Sequence, residues 1–269
     1  MPTVPADSVE RVLARARDGT RRYRDRDVAI ADGYRLIGPD FPGMGEHWIH
    51  LGLLLRGELD ATRPPVLEYA TIDGRPTLVG VAYALPLLRG ERPPDFPSGH
   101  AWHDHTESVD EESLLLEQVG AAHEATGARI AMLHAWVWLA NPAGVFASDN
   151  WTLPFARLGL PIPDGEVPAA AGRALALDAG GAVFTSMILR RVAKGSAADS
   201  VAIEQGVATA RARVVRLLGE RSSGPVRQPE LQSLCDIWSE FGNILDRSVT
   251  GGARERLRRA MVWTPVAAR

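Results

Sequence analysis

Apolar and polar positions follow three different rhythms along this chain. Over residues 6–32, Val9, Val12, Leu13, Ala16, Tyr23, Val28 and Ile30 recur at helical spacing and Gly33 closes the segment, which predicts an N-terminal helix. The pattern then changes to short apolar runs bounded by glycine, proline and asparagine. Residues 66–71 and 76–85 flank Asp73-Gly74 and predict an antiparallel hairpin turning there. Residues 130–139 are apolar except for His134 and run into Asn141-Pro142, which predicts a buried strand rather than a helix. From about 167 onward strand signals vanish. Segments 168–178, 180–193, 196–220, 228–247 and 251–262 all predict helices, one of them with apolar residues at 201, 203, 207, 214, 215 and 218.

The connections have their own composition. Three glycines and two prolines make 38–45 a loop, in which the glycines around Met44 let the backbone pass close to another strand or a ligand. Residues 86–110 are rich in proline and charge and predict a long excursion, followed by a short acidic helix over 110–124. The sum is an α+β fold with an antiparallel β core after the N-terminal helix and an all-helical C-terminal third. The expected division is a β-rich domain over 1–165 and a helical region over 166–269 packed on it.

Composition narrows the function classes. The 269 residues are 45% hydrophobic and 23% charged, with a net charge of −3, so no global positive field points to nucleic acid or an anionic membrane. Arg21-Arg22-Tyr23-Arg24-Asp25-Arg26 is diluted by aspartates and reads as a solvated helix face. Cys235 is the sole cysteine, which rules out an internal disulfide and points to a reducing compartment. The first residues lack the layout of a signal peptide and no apolar run approaches a membrane span, so the expected location is the cytoplasm. There is no Gly-x-Ser-x-Gly elbow for a serine hydrolase, no Gly-x-Gly-x-x-Gly opening a helix for a dinucleotide, and no phosphate loop.

The candidate chemistry starts at His134. On a strand, Met132, His134, Trp136 and Trp138 share one face, so an imidazole lies among indoles in an expected core. It needs a partner: a carbonyl or carboxylate in the ordinary case, a metal ion in the more specific one. Glu68 is the odd residue in the strand 66–71 and needs a cation or donors if it faces inward. His100, His103 and His105 cluster in the long excursion, where a solvated loop is the simpler account. Tryptophans of the β-rich part, Trp48 and Trp136 among them, serve as core or line a ligand pocket.

Several segments together resemble a large group of uncharacterised bacterial proteins. They are the Arg-Asp-rich helix ending Ala-Asp-Gly-Tyr34, Met44-Gly45-Glu46-His47-Trp48, Leu67-Glu68-Tyr69, Leu78-Val79-Gly80-Val81-Ala82-Tyr83, and His134-Ala-Trp-Val-Trp-Leu-Ala-Asn141-Pro-Ala-Gly-Val-Phe146 with Asn150 downstream. The group carries Met-Gly-x-His-Trp/Tyr and His-x-Trp-x-Trp-x-x-Asn-Pro-x-Gly-x-Phe segments. The resemblance implies a barrel-like sheet and no assigned reaction. It adds His47 and Glu68 to His134, a ligand set suited to a divalent transition metal, Fe, Zn or Cu. His103, His105 and His50 are additional candidate ligands, with Trp48, Trp136, Asn141 and Asn150 around a substrate pocket. Such a site makes the chain a metal-dependent enzyme acting on a small organic substrate, with oxidoreductase the candidate class. The alternative is a non-catalytic metal- or ligand-binding protein with a stress-related role. A pure scaffold would instead hold His47 and His134 more than ~6 Å apart on separate carbonyls, too far for ligand bonds to one ion.

Overall fold

A computed structural model of the chain describes residues 6–88, 90–96, 102–104, 129–221 and 224–260. The helices, the antiparallel sheet and the helical C-terminal part make an α+β protein. It divides into two compact units. Among the described residues, one takes the chain up to Asn150 apart from 41–43, and the other takes 41–43 and the chain from Trp151. No helix among the described residues is long and apolar enough to cross a membrane.

The N-terminal segment is not one helix. Helix α1 (Ala6–Thr20) passes into a 3-10 turn over Arg21–Arg24, and helix α2 (Arg26–Ala31) starts afresh, capped by the Asp25 carboxylate accepting from Asp27 N–H. The break has a packing consequence. It lets Ala16, Tyr23 and Ala29 all enter one core, which a straight helix would not do with that spacing.

Among the described residues six strands follow: β1 (Arg35–Phe41), β2 (Gly45–Ile49), β3 (Val66–Ile72), β4 (Arg75–Leu87), β5 (His103–Asp104) and β6 (Arg129–Ala135), in spatial order β1-β2-β3-β4-β6-β5. Strands β2 and β3, β3 and β4, β4 and β6, and β5 and β6 pair antiparallel. The sheet is open rather than barrel-like: closure would need β1 to pair with β5, whose described part is two residues. The expected hairpin is present, with Asp73 and Gly74 both at positive φ in its two-residue turn. Most of the loop expected at 38–45 is strand or turn instead. Gly38 and Pro39 lie within β1, an edge strand, where a proline costs no ladder bond toward solvent. Gly45, at φ +88°, sits where a side chain would run into the Tyr69 carbonyl, so its close approach is to strand β3.

One face of the sheet buries Trp48, Leu67, Tyr69, Val81, Tyr83, Leu133 and Ala135 against Ala16, Tyr23, Ala29 and Tyr34. The tyrosine hydroxyls inside it are satisfied by carbonyls: Tyr34 donates to Pro64 at 2.7 Å, Tyr83 to Ala61 at 2.9 Å, and Tyr69 to Tyr23. The other face carries Val66, Ala82, Ala84 and Met132. The long excursion is described only in part, and the acidic helix expected over 110–124 lies outside the described residues.

The second unit is helical: a short α4 (Leu153–Arg157) precedes α5 (Ala169–Ala176), α6 (Ala182–Ala193), α7 (Ala197–Gly219), α8 (Gln228–Ser248) and α9 (Gly251–Ala260), the five that periodicity after 167 predicts. A kink at Ala179-Gly180 separates α5 from α6. Helix α8 packs on α5 and α7, and α9 on α6. Ile203, Val207 and Val214 of α7 are buried, but Val201 and Val215 are exposed. Ser196 and Asp199 form a capping box at the start of α7. The Asp199 carboxylate also accepts from Thr250 N–H at 2.7 Å and from the Thr250 hydroxyl at 3.1 Å, tying this helix start to the α8–α9 junction. The Thr250 and Ser196 N–H groups hold its pKa well below the ordinary 3.8, at about 2.

A depressed carboxyl pKa contributes stability above the unfolded value that is lost as pH falls through the folded one. The stability difference between the parent and Asp199→Asn is therefore expected to be largest above about pH 4 and to shrink toward pH 2, measured as denaturation midpoints across that range. A difference that stays constant with pH would show that the carboxylate charge is not what these donors hold.

Candidate metal centre

Three neighbouring registers bring the candidate ligands together. His47 on β2 is the Cα partner of Glu68 on β3, Glu68 is the partner of Gly80 on β4, and His134 on β6 is the partner of Ala82 on β4. Strand alternation puts Gly80, Ala82 and His134 on one face with His47 and Glu68. Between Glu68↔Gly80 and Tyr69↔Leu78 the ladder slips, leaving Val79 as a β-bulge. The Val79 carbonyl then accepts from Trp138 N–H at 3.2 Å and Leu139 N–H at 2.9 Å.

The side chains of Glu68 and His134 meet across β4, because the residues beneath them are glycine and alanine. Glu68 Oε1 is hydrogen-bonded to His134 Nδ1 and lies 3.9 Å from His47 Nε2. One nitrogen of each imidazole and one carboxylate oxygen lie within 4.8 Å of one another. The two imidazole rings stand edge to face, 5.7 Å apart at 89°. Glu68 and His134 are 0% exposed and His47 4%. A side chain on residue 80 would overlap Glu68 Oε2, so Gly80 makes the room the carboxylate occupies.

This donor set fits a divalent transition ion. Ligand bonds of about 2.1 Å need donor atoms within about 4.2 Å of one another, so small side-chain torsions would close the set on an ion. The scaffold account required separate carbonyl partners and a wide His47–His134 separation, and the shared carboxylate contradicts it.

The other expected site residues divide. His103 pairs with Met132 across β5–β6, and its ring stacks on His134 at 5.1 Å and 13°, beside the three-residue group rather than within it. His105 lies outside the described residues. His50 does not join the group: its Nδ1 accepts from Leu53 N–H at 3.2 Å, capping helix α3 (Leu51–Arg56), and its ring lies edge-on to Tyr34. Trp136 is buried and near-parallel to His134 at 6.5 Å, its indole donating to the Ala147 carbonyl at 2.6 Å. Trp48, next to His47 on the strand, faces the opposite side and packs on Tyr69. Trp138 also departs from expectation. The ladder ends at Ala135, and the turn that follows carries the indole to the opposite face, donating to Thr20 Oγ1 at 3.1 Å under the Arg24 guanidinium. Asn141 and Asn150 brace the loop: Asn141 Nδ2 donates to the Asp149 carbonyl at 2.8 Å, and buried Asn150 donates to the Ala140 carbonyl at 3.2 Å. Gly80 and Ala82 were the site residues that residue chemistry alone passes over. The only signal for Gly80 was a glycine interrupting an apolar strand.

Fold and site together define an α+β protein with an open antiparallel sheet and a buried His/Glu/His group that could hold a metal ion. Comparison with protein-family models, with curated proteins and with solved structures finds no match to this chain.

The Gly80→Ala substitution is expected to destabilise the protein by about 1–3 kcal/mol, the usual cost of an extra methyl in a filled core. In a Glu68→Asp background, where the carboxylate is one methylene shorter, most of that cost should disappear. A denaturant double-mutant cycle measures this coupling; additive effects would mean the two residues do not compete for space.

Proposed function

We propose that this protein is a metal-dependent enzyme acting on a small organic substrate, with His47, Glu68 and His134 holding a divalent Fe, Zn or Cu ion. The observation that carries this is the convergence of two imidazoles and one carboxylate, from three strands of one sheet, to within 4.8 Å. Three protein ligands leave coordination positions for water or substrate, and two imidazoles with one carboxylate suit non-haem iron as well as zinc. A bound ion would supply Lewis-acid or one-electron chemistry at those positions. The iron case makes an oxidoreductase the favoured class. The chain's own residues do the rest. Before an ion binds, Glu68 holds the His134 ring through its Nδ1, and the near-parallel Trp136 ring flanks that imidazole. A reducing cytoplasm would keep both the lone Cys235 thiol and such an ion in their reduced states.

The burial of all three side chains favours a second reading, a non-catalytic metal-binding protein. The two differ in whether the ion has an open position.

Protein purified without an affinity tag is expected to carry near-stoichiometric metal by mass spectrometry, and His47→Ala/His134→Ala to lose it while remaining folded. With cobalt(II) in the site, added azide should shift the visible absorption bands if a position is open. Metal without an azide response would favour the binding protein. A parent that stays metal-free after reconstitution with each of the three ions would remove both readings.

A further inference from the structure

Helix α7 carries two faces of different character. Ile203, Val207, Ala210 and Val214 are buried. Val201, Glu204, Ala208, Arg211 and Val215 recur at alternating spacings of three and four, and all are exposed. Val201 is 51% exposed and Val215 48%, and on the bordering helix α6 Val183 is 81% exposed. Between α6 and α7 runs an open groove of about 520 Å³, lined by Ala182, Ser186, Val207, Ala208 and Ala212 among others. Apolar residues at heptad spacing on a solvent-facing helix are the pattern of a helix–helix seam.

We propose that this face docks a second copy of the chain, with helix α7 lying antiparallel to its counterpart about a two-fold axis beside Ala208. The stripe is self-complementary about that axis. Val201 and Val215 lie seven residues before and after Ala208, so each valine meets the opposite valine of the other copy. Glu204 lies four residues before Ala208 and Arg211 three after it, so glutamate and arginine face each other twice. A parallel arrangement would set Glu204 against Glu204 and Arg211 against Arg211, so the charges also choose the direction. Within one copy Glu204 pairs with Arg190 at 2.7 Å and Arg211 with Asp178 at 3.2 Å. Both are surface pairs of little energetic weight, which leaves the groups available across an interface. From Val201 to Val215 the helix rises about 21 Å, a short contact that places the dimer at the weak, reversible end of the range.

Sedimentation equilibrium on the full chain, from low to high micromolar, tests this. The parent is expected to show a monomer–dimer equilibrium. Glu204→Arg and Arg211→Glu, each alone, should remain monomeric, because each places like charges on both halves of the seam. An equimolar mixture of the two variants should regain the dimer mass, because every glutamate–arginine contact is then attractive again. Ala208→Arg, at an exposed position on the axis, should also be monomeric and serves if a charge reversal disturbs folding. A monomeric parent, a dimer that survives Ala208→Arg, or a mixture that stays monomeric would each overturn the proposal.

Discussion

Glu68 places a carboxylate with no solvent exposure in the middle of a β-sheet, and the surrounding structure accommodates it. An uncompensated buried charge costs several kcal/mol, so the sheet must deliver compensating groups to a defined point. It does so by register. His47 arrives because it is the direct Cα partner of Glu68, and His134 because β6 pairs with β4 at Ala82. A slip of one residue in either pairing would send the imidazole to the other face and leave the carboxylate stranded. The same register puts Gly80 beneath the carboxylate, and the bulge at Val79 adjusts the strand around it.

The opposite face supplies the rigidity this arrangement needs. Its tyrosines are large, buried and anchored through their hydroxyls to carbonyls of neighbouring loops, so strands β3 and β4 have little freedom to slide. Each strand of the pair thus serves a well-packed aromatic core on one side and a polar cluster on the other.

Two buried carboxylates show how environment separates a structural role from a chemical one. Asp199 is surrounded by backbone N–H groups and hydroxyls, donors that cannot be exchanged without breaking helix caps. Its charge is locked into joining three helices. Glu68 is met by imidazoles, which bind protons and transition metals alike. A cation can take the place of those hydrogen bonds without unmaking any secondary structure.

The elements legible in the chain are those governed by local pattern. The hairpin at Asp73-Gly74, the succession of helices after 167 and the burial of His134 follow from turn chemistry and periodicity, which depend only on near neighbours. The chemistry of the site was also legible, since an isolated histidine or glutamate in apolar sequence needs a partner wherever the chain folds. What those local patterns left open was decided at longer range. The N-terminal helix breaks at Asp25 so that Tyr23 and Ala29 share a core with Ala16. Trp138 leaves the face of His134 because the ladder ends at Ala135, and the outward valines of α7 look like core in a helical repeat. Residue types determined which groups required satisfaction. Only the cross-strand register decided that His47, Glu68 and His134 satisfy one another, because pairing between distant strands is a property of the assembled sheet and not of any one segment.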